Sequence, residues 1–225
     1  MTSPDVARTM LSWSSGKDSA WALHRMREDP DIAVDGLFCT INQAFDRVAM
    51  HAVRVALLQQ QADSIGLPIQ LIPIPHPCSN ADYARIMGEF VAREKERGTE
   101  CFAFGDLFLE DIREYRENAL AGSGISASFP LWGLDTRVLS ATMLDGGLRA
   151  QITCVDPKQL APEFSGREYD ADFLRELPSG VDSCGENGEF HSFAFDGPMF
   201  GHEITIKVGD TITRDGFVFT DLLPA

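Results

Sequence analysis

The stretch Thr9-Met10-Leu11-Ser12-Trp13-Ser14-Ser15-Gly16-Lys17-Asp18-Ser19-Ala20 decides the fold class of this chain. Its apolar beginning predicts a first strand, and the sequence after Ser19 predicts a helix. A loop of small residues between a strand and a helix presents backbone N–H groups beside the positive end of the helix dipole, which suits a phosphate. Lys17 adds a mobile ammonium. We therefore predict a phosphate-binding loop, the alternative being an ordinary turn in which Ser14 or Asp18 caps the helix.

The spacing of this loop narrows the choice of nucleotide-binding classes. It matches neither Gly-x-x-x-x-Gly-Lys-Ser/Thr nor Gly-x-Gly-x-x-Gly. It does resemble the Ser-Gly-Gly-x-Asp-Ser loop of the ATP pyrophosphatases, with Ser15 where the first glycine is usual. Enzymes with that loop split ATP between the α and β phosphates and leave AMP on a substrate.

Composition and charge exclude several classes. The chain has 225 residues, of which 44% are hydrophobic, enough for one large domain or two modest ones. Its 19 basic residues face 34 acidic ones, for a net charge of -15, which argues against a nucleic-acid substrate. No apolar run is long enough for a membrane span and the first residues do not form a signal peptide, so we expect a cytoplasmic protein without membrane contacts.

The cysteines indicate neither disulfides nor a metal centre. The five are scattered without a Cys-x-x-Cys pair, and three of them lie in apolar runs, at Cys39, Cys101 and Cys154. We expect free thiols and no structural metal site.

The first half alternates strands and helices. Strands are predicted at 9–13, 36–41, 69–74 and 101–104. Helices are predicted from about Arg47 to Ile65, from Asn80 to Arg97, and after Gly105-Asp106 to about Leu120. Repeated units with uniformly apolar strands imply a parallel sheet covered on both faces. The predicted class is α/β, a doubly wound, mostly parallel, Rossmann-like sheet of the ATP pyrophosphatase type.

The regular alternation of strands and helices ends after Gly122-Ser123-Gly124, and we predict a domain boundary near residue 125. Residues 1–125 would form the ATP-binding domain and residues 126–225 a smaller α+β substrate-binding domain. The second part is predicted to contain a helix at 137–144, strands at 149–155 and 190–195, and short antiparallel strands at 204–208, 211–213 and 217–219. Gly209-Asp210 and Asp215-Gly216 would be the turns between the last three.

A second motif is Gly185-Glu186-Asn187-Gly188-Glu189-Phe190-His191. Two carboxylates three residues apart, between glycines and an imidazole, are either a solvated turn before the next strand or a functional loop. In the functional interpretation they hold an amine, an ammonium or Mg²⁺ near the α-phosphate of ATP.

Several motifs in a fixed order carry a family resemblance. They are Ser15-Gly16-Lys17-Asp18-Ser19, Phe104-Gly105-Asp106, Pro130-Leu131-Trp132-Gly133, Cys184 to His191, and Asp196-Gly197-Pro198. Together they resemble the diphthine–ammonia ligase family of ATP pyrophosphatases, in particular its bacterial branch, from about residue 8 to the end.

The resemblance implies an ATP-dependent amidation. Archaeal and eukaryotic members adenylate the carboxylate of a modified histidine on elongation factor 2, and ammonia then displaces AMP. A bacterial member would use another acceptor. ATP, Mg²⁺ and ammonia are the implied cofactor and substrates, and the acceptor is a small molecule or a protein residue. Ammonia is either free or supplied by a partner protein, and a homo-oligomer is possible.

The resemblance also assigns roles in the first half. The ATP-binding residues would be Ser14, Ser15, Gly16, Lys17, Asp18, Ser19, Thr40 and Gly105, and Lys17, Asp18 and Asp106 would be catalytic. Asp18 holds Mg²⁺ or caps the helix; Asp106 meets ribose, metal or acceptor, or caps a helix. Arg113 or Arg116 faces the phosphates or pairs with neighbouring carboxylates. Arg47 and His51 lie near enough to Thr40 to help it hold adenine.

In the second half, Glu186 and Glu189 are the predicted catalytic carboxylates. Either one, or His191, would take a proton from the ammonium. The acceptor site would comprise Trp132, Asp135, Gly185, Glu186, Asn187, Glu189 and His191, unless Trp132 is a core residue. Two rival functions remain: a tRNA-modifying pyrophosphatase, and an ATP or AMP sensor without turnover.

Overall fold

The computed structural model describes residues 6–45, 47–48 and 53–225, in which strands and helices alternate through the first half. The strands there are β1 (Ala7–Ser12), β2 (Ile32–Asn42), β3 (Arg47–Val48), β4 (Ile69–Ile74), β5 (Cys101–Ala103) and β6 (Ser126–Ser128). The helices are α1 (Lys17–Arg27), α2 (Val55–Ile65), α3 (Asn80–Glu96) and α4 (Glu110–Leu120).

These strands form one largely parallel sheet with β1 at its centre. β1 pairs in parallel with β2 and β5, β2 pairs in parallel with β4, and β5 with β6. The chain therefore builds outward from β1 on one side and returns to build on the other. This doubly wound order confirms the predicted fold class, and it places a topological switch point at the carboxyl ends of β1 and β5.

The second half forms an antiparallel sheet in the order β8-β7-β10-β9. Its elements are α5 (Thr136–Asp145), β7 (Arg149–Val155), a short 3-10 helix (Pro162–Phe164), α6 (Ala171–Glu176), β8 (Phe190–Asp196), β9 (Ile206–Arg214) and β10 (Phe217–Pro224). One cluster of buried apolar side chains contains Leu11 and Trp21 of the first half together with Phe193 and Leu222 of the second. The two halves therefore share a core.

The predicted helix from Arg47 to Ile65 is wrong in its first part. Residues 47–48 form β3, antiparallel to the end of β2, and the helix begins at Val55. Tertiary contacts explain this start, because the Arg47 guanidinium lies 2.8 Å from Asp221 of β10 and the Val48 N–H donates to the Val53 carbonyl at 2.8 Å. His51 lies outside the described residues.

The predicted turn at Gly209-Asp210 is also wrong, since both residues lie inside β9. Continuous pairing with β10 satisfies the backbone of the whole strand, and a register irregularity between Thr220 and Leu222 absorbs the mismatch. The turn predicted at Asp215-Gly216 is confirmed. Both residues have positive φ, 53° and 85°, as a tight hairpin between twisted strands requires.

β6 at 126–128 joins the parallel sheet of the first half, and the domain boundary near residue 125 stays a prediction. None of the described helices has the length and apolar character needed to cross a membrane.

The five cysteines are free thiols. Burial raises the pKa of Cys39 and Cys154 to about 12, which makes both of them unreactive core residues.

Candidate active site

The serine loop, residues 14–19, joins β1 to α1 at the switch point. Ser15 has φ of 69°, and only one other non-glycine residue in the described chain has positive φ. This left-handed conformation costs an L-residue roughly 1–2 kcal/mol, which explains why a glycine is usual there. Ser15 is buried, and its hydroxyl oxygen has no hydrogen-bond partner among the described residues.

Hydrogen bonds inside the serine loop hold its shape. The Ser14 and Ser19 hydroxyls lie 3.0 Å apart, the Gly16 N–H donates to the Ser14 hydroxyl at 3.3 Å, and the Ser19 hydroxyl donates to the Gly16 carbonyl at 3.0 Å. The small residues at these positions therefore build the loop from their own side chains.

An apolar cavity of about 630 Å³ opens beside the serine loop, a size typical of small-molecule sites. It lies between α3, α4 and the carboxyl ends of β1, β2 and β5. Its wall includes Ser14 and Thr40, both predicted to bind ATP, and Arg116. The remaining wall is mostly apolar or aromatic: Trp13, Phe38, Val48, Tyr83, Met87, Val91, Phe102, Phe104 and Leu120. The cavity suits a flat ring whose polar substituents reach the serine loop.

Lys17 points away from that cavity and toward the second half. Its side chain is 2% exposed, and its Nζ donates to both oxygens of Asp18, at 3.0 and 2.9 Å, and to the Cys184 carbonyl. The ammonium also lies over the rings of Tyr169 and Phe190, 5.5 and 5.4 Å from their centroids. Burial, the largest single influence, works against its charge, but Asp18, Cys184 and Glu186 together outweigh burial and raise the pKa of Lys17. Lys17, which is buried, and Asp18, which is 26% exposed, therefore form a partly buried ion pair.

Gly105 and Asp106 follow β5 at the same edge of the sheet. A Cβ at Gly105 would lie 3.0 Å from the backbone of Asp18 and Ser19, so a larger residue would push this part of the serine loop away. Asp106 pairs with Arg116, whose guanidinium lies 4.4 Å from the Phe104 ring centroid. Of the two arginines predicted to face the phosphates, Arg116 therefore lines the cavity.

Arg113 has a different environment. It pairs with Glu117 at 2.8 Å and lies over the rings of Phe129 and Trp132. Trp132 is partly buried in this cluster. The neighbouring Gly133 N–H donates to the Leu107 carbonyl at 2.8 Å, which ties the 129–133 segment to the loop after β5.

The glutamate loop, residues 184–189, precedes β8. Gly185 and Gly188 have φ of 73° and 82° and make its tight path possible. The Glu186 carboxylate crosses to the first half, where it accepts from the Leu107 N–H at 2.8 Å. Burial, reinforced by Asp18 and Asp106, raises the pKa of Glu186 to about 7. A carboxyl group with such a pKa can both accept and release a proton at neutral pH.

Glu189 is 2% exposed and only half satisfied. One carboxylate oxygen accepts from the Asp182 N–H at 2.9 Å and the Asn187 side-chain amide at 3.0 Å. The other is buried with no hydrogen-bond partner among the described residues. A buried carboxylate oxygen without a donor is costly, and its environment fits an ammonium or a hard cation.

Two predicted acceptor residues lie elsewhere. Asp135 caps α5, accepting from the Arg137 and Val138 N–H groups at 2.9 and 3.1 Å. His191 lines a second cavity, and burial lowers its pKa to about 4, so it is neutral at physiological pH. A role for either in the acceptor site stays a prediction.

Sequence reasoning missed the residues that join the two halves behind the serine loop. Gln61 is fully buried; it accepts from the Trp13 indole at 2.8 Å and donates to the Ser15 and Ala194 carbonyls at 3.0 and 2.6 Å. The Ala194 N–H donates to the Ser15 carbonyl at 2.9 Å, and the Lys17 N–H to the Ser192 hydroxyl at 3.2 Å. The one available signal was a glutamine on the apolar face of α2.

In the described part of the chain, no three or more His, Cys, Asp or Glu side chains group together as metal ligands. Carboxylates at Asp18 and Asp106 nevertheless lie beside the serine loop, and Mg²⁺ carried by a nucleotide usually needs only one or two protein carboxylates.

Comparison with known proteins adds independent information. Residues 7–125 match the family described as diphthamide synthase N-terminal domain, and residues 135–219 match the diphthamide synthase C-terminal domain. A Danio rerio protein named diphthine–ammonia ligase is 25% identical over 230 residues, covering 96% of this chain and 87% of that protein. A Bos taurus protein of the same name is 27% identical over 134 residues, covering 57% of this chain and 50% of that protein.

Proposed function

The chain belongs to the diphthamide synthase family, and on that premise we propose that it is an ATP-dependent ligase that adenylates a carboxylate and amidates it with ammonia. The names of its relatives support ligase chemistry. The release of AMP and pyrophosphate is our inference from the serine loop. The acceptor is a carboxylic acid.

The nucleotide would occupy the apolar cavity. Adenine suits its aromatic wall near Thr40, and the triphosphate would extend to the serine loop, where backbone N–H groups meet the N-terminus of α1. Arg116 lies at the cavity wall and would neutralise phosphate charge if it left Asp106. Mg²⁺ bound with ATP would be held through Asp18.

The proposed reaction has two steps, adenylation of the acceptor and then its amidation. A carboxylate oxygen of the acceptor attacks the α-phosphorus, the bond to the β-phosphate bridge oxygen breaks, and pyrophosphate leaves. Ammonia then attacks the carbonyl carbon of the acyl-adenylate, and AMP leaves with the electrons of the C–O bond. Glu189 would hold the incoming ammonium, and Glu186, with its pKa of about 7, would take the proton that the nitrogen loses.

The observation that carries the proposal is the meeting of the serine loop with the glutamate loop. Lys17 joins them through the Cys184 carbonyl, and Glu186 reaches the Leu107 backbone just beyond Asp106. A site that only bound a nucleotide would need neither the half-satisfied carboxylate of Glu189 nor the raised pKa of Glu186.

The test measures AMP and pyrophosphate from Mg·ATP and ammonium chloride, with and without a deproteinised cell extract as the source of acceptor. We expect extract-dependent formation of both products in equal amounts, and loss of at least 100-fold of this rate in Glu189→Gln. Glu163→Gln, a substitution of an exposed glutamate on the 3-10 helix, is the matched control and should retain the full rate.

Other product patterns would overturn the proposal. ADP and phosphate in place of AMP and pyrophosphate would mean that the serine loop does not direct attack to the α-phosphorus. Tight ATP binding without either product would favour a nucleotide sensor. That second candidate is favoured by one observation, the burial of the Lys17 ammonium against Asp18, where it points away from the apolar cavity.

A further inference from the structure

A second cavity, of about 440 Å³, lies between the two halves of the molecule. We call it the arginine cavity. Its wall combines aromatic rings with basic groups from both halves: Asn42, Phe45, Arg47, Val48, Ile74, Pro75, His76 and Cys78 from the first, and Cys154, His191, Arg214, Asp215, Phe217 and Phe219 from the second. Neither the serine loop nor the glutamate loop contributes to it.

Arg214 is the basic group most open to a ligand. Its guanidinium lies between two rings, 5.6 Å from the Phe45 centroid and 5.1 Å from that of Phe219. Among the described residues its one ion pair joins it to Asp215 at 3.6 Å, and that carboxylate is 87% exposed, so the pair is weak. Within the described residues, no hydrogen bond occupies its planar set of N–H donors, which match a carboxylate in two-point geometry.

The charge in this cavity contrasts with that of the whole chain, which is -15. Among the described wall residues the one carboxylate is that of Asp215, against the guanidinium groups of Arg47 and Arg214. Arg47 is shared with Asp221 at 2.8 Å, so Arg214 supplies the positive charge available to a ligand. Elsewhere an acidic surface repels anions, and the arginine cavity is therefore a local exception suited to an anionic molecule.

The aromatic groups suit a flat body. Phe45 is 50% exposed, and its ring meets that of His76 edge to face at 5.2 Å. Aromatic side chains with a few charged or polar groups among them are the usual lining of a small-molecule pocket.

The arginine cavity adjoins the candidate active site. Val48 lines both it and the apolar cavity, and His191 follows Glu189 by two residues along the chain into β8. A molecule in the arginine cavity would therefore contact Val48, which also lines the apolar cavity, and His191 at the start of β8.

We propose that the arginine cavity is the acceptor subsite, and that the acceptor is a small, flat, unsaturated molecule with two anionic groups. One group pairs with Arg214, and the other is the carboxylate that is activated at the nucleotide. This inference rests on the proposed function, since it identifies the acceptor of that reaction.

A binding experiment tests the subsite without turnover. Ligand-observed NMR would compare phthalate, pyridine-2,3-dicarboxylate and the uncharged 1,2-benzenedimethanol on the nucleotide-free protein. We expect saturable binding of at least one dianion, weakened at least tenfold in Arg214→Gln, and much weaker binding of the diol. Arg175→Gln is the matched control, because Arg175 is an exposed residue of α6 in a surface pair with Asp172. Equal binding to Arg214→Gln and wild type, or no binding of either dianion, would overturn the subsite.

A turnover experiment separates this inference from the proposed function. In the AMP-release assay, Arg214→Gln should raise the extract concentration needed for half-maximal rate at least tenfold and leave the KM for ATP unchanged. An unchanged extract dependence would overturn the subsite while the ligase reaction stands. If wild type releases no AMP with either the deproteinised or the untreated extract, the ligase reaction and the acceptor assignment both fail. Fractionation of an untreated extract at about 10 kDa identifies the source: activity confined to the large fraction would overturn the small-molecule acceptor and indicate a protein side chain.

Discussion

The serine loop and the glutamate loop meet at one site, but each is held under a different strain. The serine loop keeps a non-glycine residue, Ser15, in the left-handed region and satisfies most of its polar groups from within. The glutamate loop uses glycines at its two positive-φ positions and instead buries carboxylate charge at Glu186 and Glu189. Backbone conformation is therefore the unfavourable term in one loop, and desolvation of charge in the other.

The contrast also shows how the loops depend on each other. Lys17 belongs to the serine loop but donates to the Cys184 carbonyl of the glutamate loop, and Glu186 depends on the Leu107 N–H of the first half. Each half thus completes the polar contacts of the other. Substitutions in the two loops should consequently differ in kind as well as in size, and four predictions follow this contrast.

The largest effect is expected from Lys17→Met. The substitution leaves the Asp18 carboxylate without its counter-charge, and because that side chain is 26% exposed we expect a cost at the lower end of the about 3–5 kcal/mol typical of a buried pair. The melting temperature should fall by roughly 10 °C or more. Lys158→Met, at an exposed position, is the control and should change it little. If the double variant Lys17→Met/Asp18→Leu melts no higher than Lys17→Met alone, the unpaired carboxylate is not the cause.

Glu186→Gln should lower activity and raise stability. As a general base, Glu186 must be ionised, so the wild-type rate should increase as pH rises through about 7, and the variant should lose roughly 100-fold or more. Because the folded-state pKa exceeds the ordinary value of 4.5, ionisation destabilises the fold progressively from pH 4.5 to about 7. The variant avoids this cost, which is roughly 3 kcal/mol at most.

Scanning calorimetry at two pH values checks the stability part. The variant should melt several degrees above wild type at pH 8, and the difference should vanish near pH 4. If wild type and Glu186→Gln have the same melting temperature at both pH values, the Glu186 carboxyl group is not desolvated in the folded protein.

Ser15→Gly tests the backbone term in the serine loop. Glycine removes the strain of positive φ and the unpartnered hydroxyl, and loses some of this gain to its greater freedom in the unfolded chain. We expect a net gain of about 1 kcal/mol, seen as a rise of roughly 2–4 °C in melting temperature. Ser15→Ala keeps the strained φ and should gain less.

The control for this position is Asp215→Gly, at the other non-glycine residue with positive φ, in an exposed hairpin turn. Since aspartate tolerates this conformation, its change should be smaller than that of Ser15→Gly. If Ser15→Gly melts lower than wild type, the Ser15 hydroxyl contributes more than the strain costs.

The smallest effect on stability is expected from Gly88→Ala. This substitution lies in the cavity beside the serine loop and does not concern the glutamate loop. A Cβ at Gly88 meets no atom within 4 Å, and the residue lines the apolar cavity from the interior of α3. Alanine should stabilise the helix by about 0.5–1 kcal/mol and leave the Kd for ATP unchanged. Gly88→Phe should fill the cavity and raise that Kd at least tenfold, whereas Ala92→Phe, on the exposed part of α3, should not.

Much of the fold follows from local pattern. Short apolar runs alternate with segments of helical periodicity, and this pattern predicted the parallel sheet. A strand that is buried on both faces is apolar throughout and shows no alternation of polar and apolar residues. The errors occur where distant partners override local preference. The periodic apolar pattern predicted that Val48 lies in a helix. Arg47 and Val48 instead form a strand, in which Arg47 contacts Asp221, 174 residues away in the sequence.

The candidate site divides in the same way. The residue types of the serine and glutamate loops, and the motif order that resembles a family, were visible without coordinates. Whether Arg113 or Arg116 lines the cavity was not, because both lie on one helix with carboxylates at pairing distance; tertiary packing brings Arg116 to Asp106. Gln61 and Arg214 carried no motif at all.

The sequence by itself determined the fold class, the two loops and the family, since these depend on local spacing, backbone propensity and the order of short motifs. Only the tertiary structure decided that Lys17 is buried against the second half, that Glu186 has a pKa of about 7, and that one Glu189 oxygen has no hydrogen-bond partner among the described residues. The physical reason is that desolvation and charge pairing depend on which groups surround a side chain. Most of those groups come from elements far away in the sequence.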